Sequence, residues 1–161
     1  MSEEIFTCID VELPEDLVAE ASRLAIEENP ENKPPLADTE SLNDNELAML
    51  TGKMWKNGRT LRVSFMDGDA ALQKRVATTA QIWSKYANIH FDFGTHAQSD
   101  IRISFKRKGS WSYIGTDALS IDPNKPTMNF GWLKATTSDE KLQRVVLHEF
   151  GHALGCIHEQ I

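Results

Sequence analysis

Five residues close to the end of the sequence have types and spacing that can do chemistry together: His148, Glu149, His152, Gly155 and His158. On a helix, residues four apart project from one face a turn above each other, so the imidazoles of His148 and His152 can hold one metal ion. Glu149 is offset by one residue. A carboxylate there can accept a proton from water that zinc acidifies from a pKa of 15.7 to about 7. A third ligand reaches the same ion only if the helix stops and the chain reverses, and glycine takes the left-handed conformation of such a stop without a Cβ penalty. His158 follows three residues on. Three neutral nitrogen ligands with an open fourth position describe a catalytic Zn2+ centre, whereas a structural zinc is closed by four protein ligands. Chance matching of all five positions is on the order of 10⁻⁵ at ordinary composition, so stray histidines on a solvated helix are a poor account.

The elements that must position these residues can be read from periodicity. Thr137-Ser138-Asp139-Glu140 forms a capping box that opens a helix with Leu142, Val145, Val146, Phe150 and Ala153 on its apolar side, and this helix carries the histidines. Leu61, Val63 and Phe65 alternate with polar residues, as do Ile89, Phe91 and Phe93, and Ile101, Ile103 and Phe105, which predicts three strands with one buried face each. Asp69 caps a helix over Ala70 to Ala87 with Leu72, Val76, Thr79 and Trp83 at helical spacing. Two extended pieces, around Trp111 to Leu119 and Thr127 to Trp132, separate the last strand from the histidine helix. Ahead of this region, Pro14 to Glu28 reads as a weakly amphipathic helix and Asn29 to Ser41 as a Pro-rich linker. Asn43-Asp44-Asn45-Glu46 then starts a brief helix through Leu50. The architecture is α/β, with an N-terminal extension over residues 1–53 and a compact domain from Met54 to residue 161; no internal repeat supports a solenoid.

The chain of 161 residues is 40% apolar and 25% charged, within the ordinary globular range. Its net charge of −7 argues against nucleic acid as a partner, since phosphate binding needs a basic face. The charge is unevenly placed: residues 1–50 carry fourteen acids against Arg23 and Lys33, and the remainder is net basic. A solvated acidic extension is the expected reading, with docking on the basic remainder as the alternative. No apolar run reaches the roughly 18 residues of a membrane span, and Met1-Ser2-Glu3-Glu4 lacks the features of an export signal. Cytoplasmic location, with no membrane partner, is the default expectation, and two cysteines, Cys8 and Cys156, suit a reducing compartment. Oligomeric state is not legible.

His90, Asp92 and His96 suggest a second metal site, but alternation puts His90 and Asp92 on the polar face of a strand. Asp67-Gly68-Asp69 lacks the ligands of a calcium loop and reads as a turn with a helix cap. Cys156 reads as a small buried hydrophobe. Cys8 could occupy a zinc and hold an enzyme latent, since thiolate is a strong zinc ligand, although no surrounding pattern names it.

His148 to His158 resembles the metzincin zinc signature, and the following Glu159 is similar to the astacin form of it. Trp55-Lys56-Asn57-Gly58, Gly109 to Gly115 and Thr127 to Trp132 also resemble the N-terminal subdomain of microbial and fungal astacin-like peptidases. The resemblance implies a metzincin-like N-terminal subdomain: a mixed twisted sheet of about five strands backed by two helices, with an antiparallel edge strand, placed near Tyr113 to Leu119, rimming the substrate cleft. It implies a zinc-dependent metalloendopeptidase acting on peptides or proteins, with His148, His152 and His158 as ligands and Glu149 as the base. The family continues into a C-terminal subdomain with a Met-containing turn, which is missing from this sequence. Met128 precedes the zinc helix, and neither Tyr86 nor Tyr113 matches the family's extra tyrosine ligand. The expectation is therefore a fragment of a peptidase, with a non-catalytic zinc-dependent binding module as the alternative; the intact Glu149 favours the enzyme.

Overall fold

Alternation of apolar and polar residues sets the sheet. The structure, a computed structural model, describes residues 8–35 and 41–157. Strand β1 (Thr60–Phe65) buries Leu61 and Val63 and turns Arg62 outward, and β2 (His90–Phe93) buries Phe91 between exposed His90 and Asp92. With β3 (Ile101–Ser104), β4 (Ser110–Ser112) and β5 (Met128–Phe130) they form a five-stranded sheet in the order β2-β1-β3-β5-β4. The pairs β1/β2, β1/β3 and β3/β5 are parallel, while β4 runs antiparallel to β5 at the edge. The mixed sheet and antiparallel edge expected from the sequence are both present.

Parallel neighbours need a crossover long enough to cover the sheet. Helix α3 (Ala70–Ala80) supplies it between β1 and β2, starting where the Asp69 carboxylate accepts from Ala71 N at 2.8 Å. The expected run to Ala87 instead tightens into a 3-10 turn over Gln81–Lys85. That turn carries the Trp83 indole N–H to the Leu147 carbonyl, 2.9 Å away. Helix α4 (Asp139–Ala153) begins with Ser138 accepting from Lys141 N and lays Leu142, Val145, Val146 and Phe150 into the same core as Leu72, Val76 and Ala80. Phe91 meets Phe150 edge to face at 5.2 Å, which ties α4 directly to β2. Thus two helices back one face of the sheet.

Two expectations about the strands fail locally. The strand β3 is buried on both faces, because the Arg102 guanidinium is covered by the chain that follows and donates to the carbonyls of Ser99, Ile121, Asp122 and Lys125 at 2.8 to 3.2 Å. Satisfied donors allow a buried guanidinium that alternation alone reads as exposed. The edge strand ends at Ser112, and Gly115–Ser120 forms a 3-10 turn rather than extended chain. Gly115 makes the bend at φ +48, where a Cβ would stand 1.9 Å from the Lys53 carbonyl oxygen. No other residue type fits that approach.

The acidic N-terminal region is docked, not solvated. Helix α1 (Val18–Glu28) buries Ala21, Ser22 and Ala25, and Glu28 reaches Arg59 at 3.1 Å, which also pairs with Asp100. The expected linker contains a 3-10 turn at Pro30–Asn32 in which Asn32, and Asn29 just before it, are buried. Helix α2 (Asp44–Leu50) starts as expected, with Asn43 accepting from Glu46 N at 2.9 Å. No helix among the described residues is long and apolar enough to cross a membrane. Leu61 is fully buried while Arg62 is exposed with one long ion pair of 3.6 Å. Leu61→Ala is therefore expected to lose about 2–5 kcal/mol and Arg62→Ala under about 1 kcal/mol, read by urea unfolding of the two variants.

Candidate metal centre

The face of α4 that carries His148, Glu149 and His152 is set by what holds the other faces. Phe150 and Val146 are completely buried against the sheet, so residues 148, 149 and 152 point away from the core toward the edge strand β4. Two indoles fix the helix along its axis: Trp83 donates to the Leu147 carbonyl at 2.9 Å and Trp55 to the Ala153 carbonyl at 2.7 Å. The second bond satisfies one of the carbonyls that a helix leaves unpaired at its C-terminus. Others are satisfied by the chain itself, with Gly155 N donating to His152 O and Cys156 N to Gly151 O, each at 2.9 Å. This is a Schellman stop, and Gly155 occupies its left-handed position at φ +109.

The rings of His148 and His152 lie 4.8 Å apart at 90°. His152 Nδ1 is 2.7 Å from the Cys156 carbonyl oxygen, which can only accept. The proton therefore sits on Nδ1, leaving Nε2 as the lone pair available to a metal, the orientation that a backbone carbonyl imposes on ligating histidines. Glu149, beside them, is 1% exposed. Burial pushes its carboxyl up to about 7, with the Cys8 thiol pulling the other way and Asp10 adding a smaller rise. That value belongs to the metal-free centre; a dication alongside lowers it.

Cys8 completes the group. Its thiol lies 3.4 Å from Glu149 Oε1, and ligand atoms of Cys8, His148 and His152 all fall within 4.8 Å of one another. Among the described residues this is the group able to hold a metal ion; His90, Asp92 and His96 form none, His96 instead meeting the Asp92 carbonyl at 2.9 Å. Burial and the neighbouring carboxylate push the Cys8 thiol upward in pKa, so without a metal it stays protonated and donates to Glu149. Two imidazoles and a thiol are a donor set suited to zinc. His158 lies outside the described residues. Residue 8 arrives by strand pairing, with Cys8 bridged in parallel to Ser110 and Ile9 N donating to Ser110 O at 2.8 Å. A cavity of about 160 Å3 lined by Cys8, Ser110, Arg144, Val145, His148 and Glu149 remains beneath it.

A model of the peptidase family described as Astacin matches residues 49–161. The chain belongs to the astacin family. Two solved structures of myroilysin are each 48% identical to this astacin-family chain at a TM-score of 0.65, covering 66% of it and 47% and 52% of their own chains. Interstitial collagenase of Bos taurus is 30% identical over 108 residues, which is 60% of this chain and 22% of that protein. The chain thus spans about half the length of the myroilysin chains and less of the collagenase.

Sequence reasoning brought His148 and His152 to one face with Glu149 beside them, and the structure has this arrangement. It left Cys8 without support, because the contact spans 141 positions to Glu149 and no local pattern encodes it. It also missed Trp55 as an anchor of the helix end. At Gly155 a Cβ would stand 2.7 Å from Met54 Sδ on a backbone of positive φ. Gly155→Ala is expected to cost about 1–2 kcal/mol or more from backbone conformation alone, measured by denaturant unfolding of the metal-free chain.

Proposed function

We propose that this chain is part of a zinc-dependent metalloendopeptidase that hydrolyses peptide bonds in proteins, with His148, His152 and His158 holding the metal and Glu149 as general base. The observation that carries the reading is the convergence of His148, His152 and a buried Glu149 on one face of α4 at the edge of the sheet. Zinc, when bound, polarises the scissile carbonyl and makes water a nucleophile at neutral pH. Glu149 takes the proton of the attacking water on a carboxylate oxygen and returns it to the leaving amine. The hydrogen bond from His152 Nδ1 to the Cys156 carbonyl keeps that ring turned toward the metal. An extended substrate adds to the outer edge of β4 through its main chain, which accommodates many sequences.

In the form described, that edge is taken. Residues 8 and 9 pair with Ser110, and the Cys8 thiol stands among the ligand atoms. As a further ligand Cys8 would take the place needed by water, and the N-terminal strand would hold the enzyme latent. Docking and the thiol together favour this reading over a merely solvated tail.

Near one zinc per chain is expected by elemental analysis, with loss of the metal in His152→Ala; absence of zinc in every form removes the proposal. In the product of the whole gene, Glu149→Gln should keep the zinc and abolish peptide hydrolysis. Loss of a general base typically costs 10²- to 10⁴-fold in rate, so activity near the parent level rules Glu149 out as the base. Cys8→Ser in the same product should raise the activity of the unprocessed protein, serine being a poor zinc ligand; unchanged activity would show that Cys8 does not block the centre.

A further inference from the structure

Residues 52–55 belong to no helix or strand, yet they pass between the N-terminal region and the end of α4. On one side their backbone is paired by side chains of two buried asparagines. Asn32 accepts from Met54 N at 3.0 Å and donates to Met54 O at 2.8 Å and Ala25 O at 2.9 Å, while its own carbonyl accepts from Gly52 N at 2.9 Å. Asn29 donates more weakly to Met54 O at 3.3 Å and Trp55 O at 3.4 Å. An amide offers a donor and an acceptor side by side, so Asn32 meets Met54 as a neighbouring strand would.

On the other side Lys53, Met54 and Trp55 touch the end of α4 and the neighbouring turn at Gly115. Thr116 N donates to Lys53 O at 3.0 Å, and Trp55 Nε1 to Ala153 O at 2.7 Å. A Cβ on Gly155 would meet Met54 Sδ at 2.7 Å and Lys53 O at 3.3 Å, and one on Gly115 would lie 3.2 Å from Gly155 Cα. The backbone of Lys53 lies directly against Gly115 and Gly155, with the Met54 thioether packed beside Gly155. A shift of the 52–55 backbone is therefore passed to Gly155, where the chain leaves α4 toward the third candidate ligand, and to Cys156, whose carbonyl orients His152.

We propose that Asn32, assisted by Asn29, is a positioning residue for the metal centre, acting through the backbone of residues 52–55 on the turn at Gly155. The N-terminal region then has two parts with different roles: residues 8–10 lie at the site, and residues 18–33 build the support beneath it, so the support belongs to the working enzyme. This rests on the zinc peptidase reading above.

The test is zinc affinity of the full chain by competition with a chromophoric chelator, with metal-free stability measured alongside. Supporting groups around a metal typically contribute 10- to 100-fold in affinity. Asn32→Ala is expected to weaken zinc binding at least 10-fold, and Asn29→Ala, whose bonds are longer, by a smaller factor of about threefold. Val76→Ala, in the core away from the turn, serves as the control for lost stability alone and should leave affinity within about twofold. Parental affinity in the asparagine variants, or an equal loss in Val76→Ala, overturns the proposal. Should Asn32→Ala fail to fold, Asn29→Ala against Val76→Ala decides it by the same criterion. No zinc uptake by the parent chain or by the product of the whole gene instead overturns the peptidase reading itself.

Discussion

Seating α4 on the sheet while keeping polar side chains on its opposite face is the constraint from which the rest of the structure follows. Val146 and Phe150 are completely buried in the core, but Glu149 and His152, between and beside them, are also almost without exposure. Burying a carboxyl without partners costs several kcal/mol or forces it to take up a proton, and the rise in the Glu149 pKa is that cost expressed. A helix bearing such a group stays folded only if its apolar side contributes more than the polar side loses. The aromatic contact of Phe150 with Phe91 and the two indole bonds to α4 carbonyls are the compensating interactions.

What was legible in the sequence is what local spacing encodes. Leu61 and Val63 announced β1, Asp69 and Ser138 announced the starts of α3 and α4, and the four-residue step from His148 to His152 placed both rings on one face. What was not legible depends on partners far away in the chain. Arg102 sits on a strand where alternation turns it to solvent, yet carbonyls of residues 121–125 satisfy it in the interior. Asn29 to Asn32 carry the composition of a linker, but their amides complete the hydrogen bonds of Met54 and Trp55. Polar residues mark loops only when water is their partner. Gly115 shows the same limit in reverse: its neighbours read as strand, while the approach of the Lys53 carbonyl forces a turn.

The N-terminal region joins these threads, because the strand at Cys8 and the helix α1 depend on each other. A thiol brought to His148 from 140 positions away in an open chain pays a large loop-closure entropy, on the order of that for a 100-residue disulfide loop at about 4.7 kcal/mol. With α1 docked through Ala21, Ala25 and Glu28, only the stretch between Cys8 and Val18 remains to be closed, and the thiol is held near the metal face at the millimolar effective concentrations of a short tether. In the latent arrangement proposed above, releasing Cys8 alone would open the centre only briefly, since the tethered thiol returns, and lasting exposure of the β4 edge would require the tether to be cut or the thiol to be modified. The same α1 that tethers Cys8 also holds Asn29 and Asn32 against residues 52–55, so under the proposed reading a cut within residues 9–17 would release the thiol and keep that support, whereas loss of the whole region would remove both.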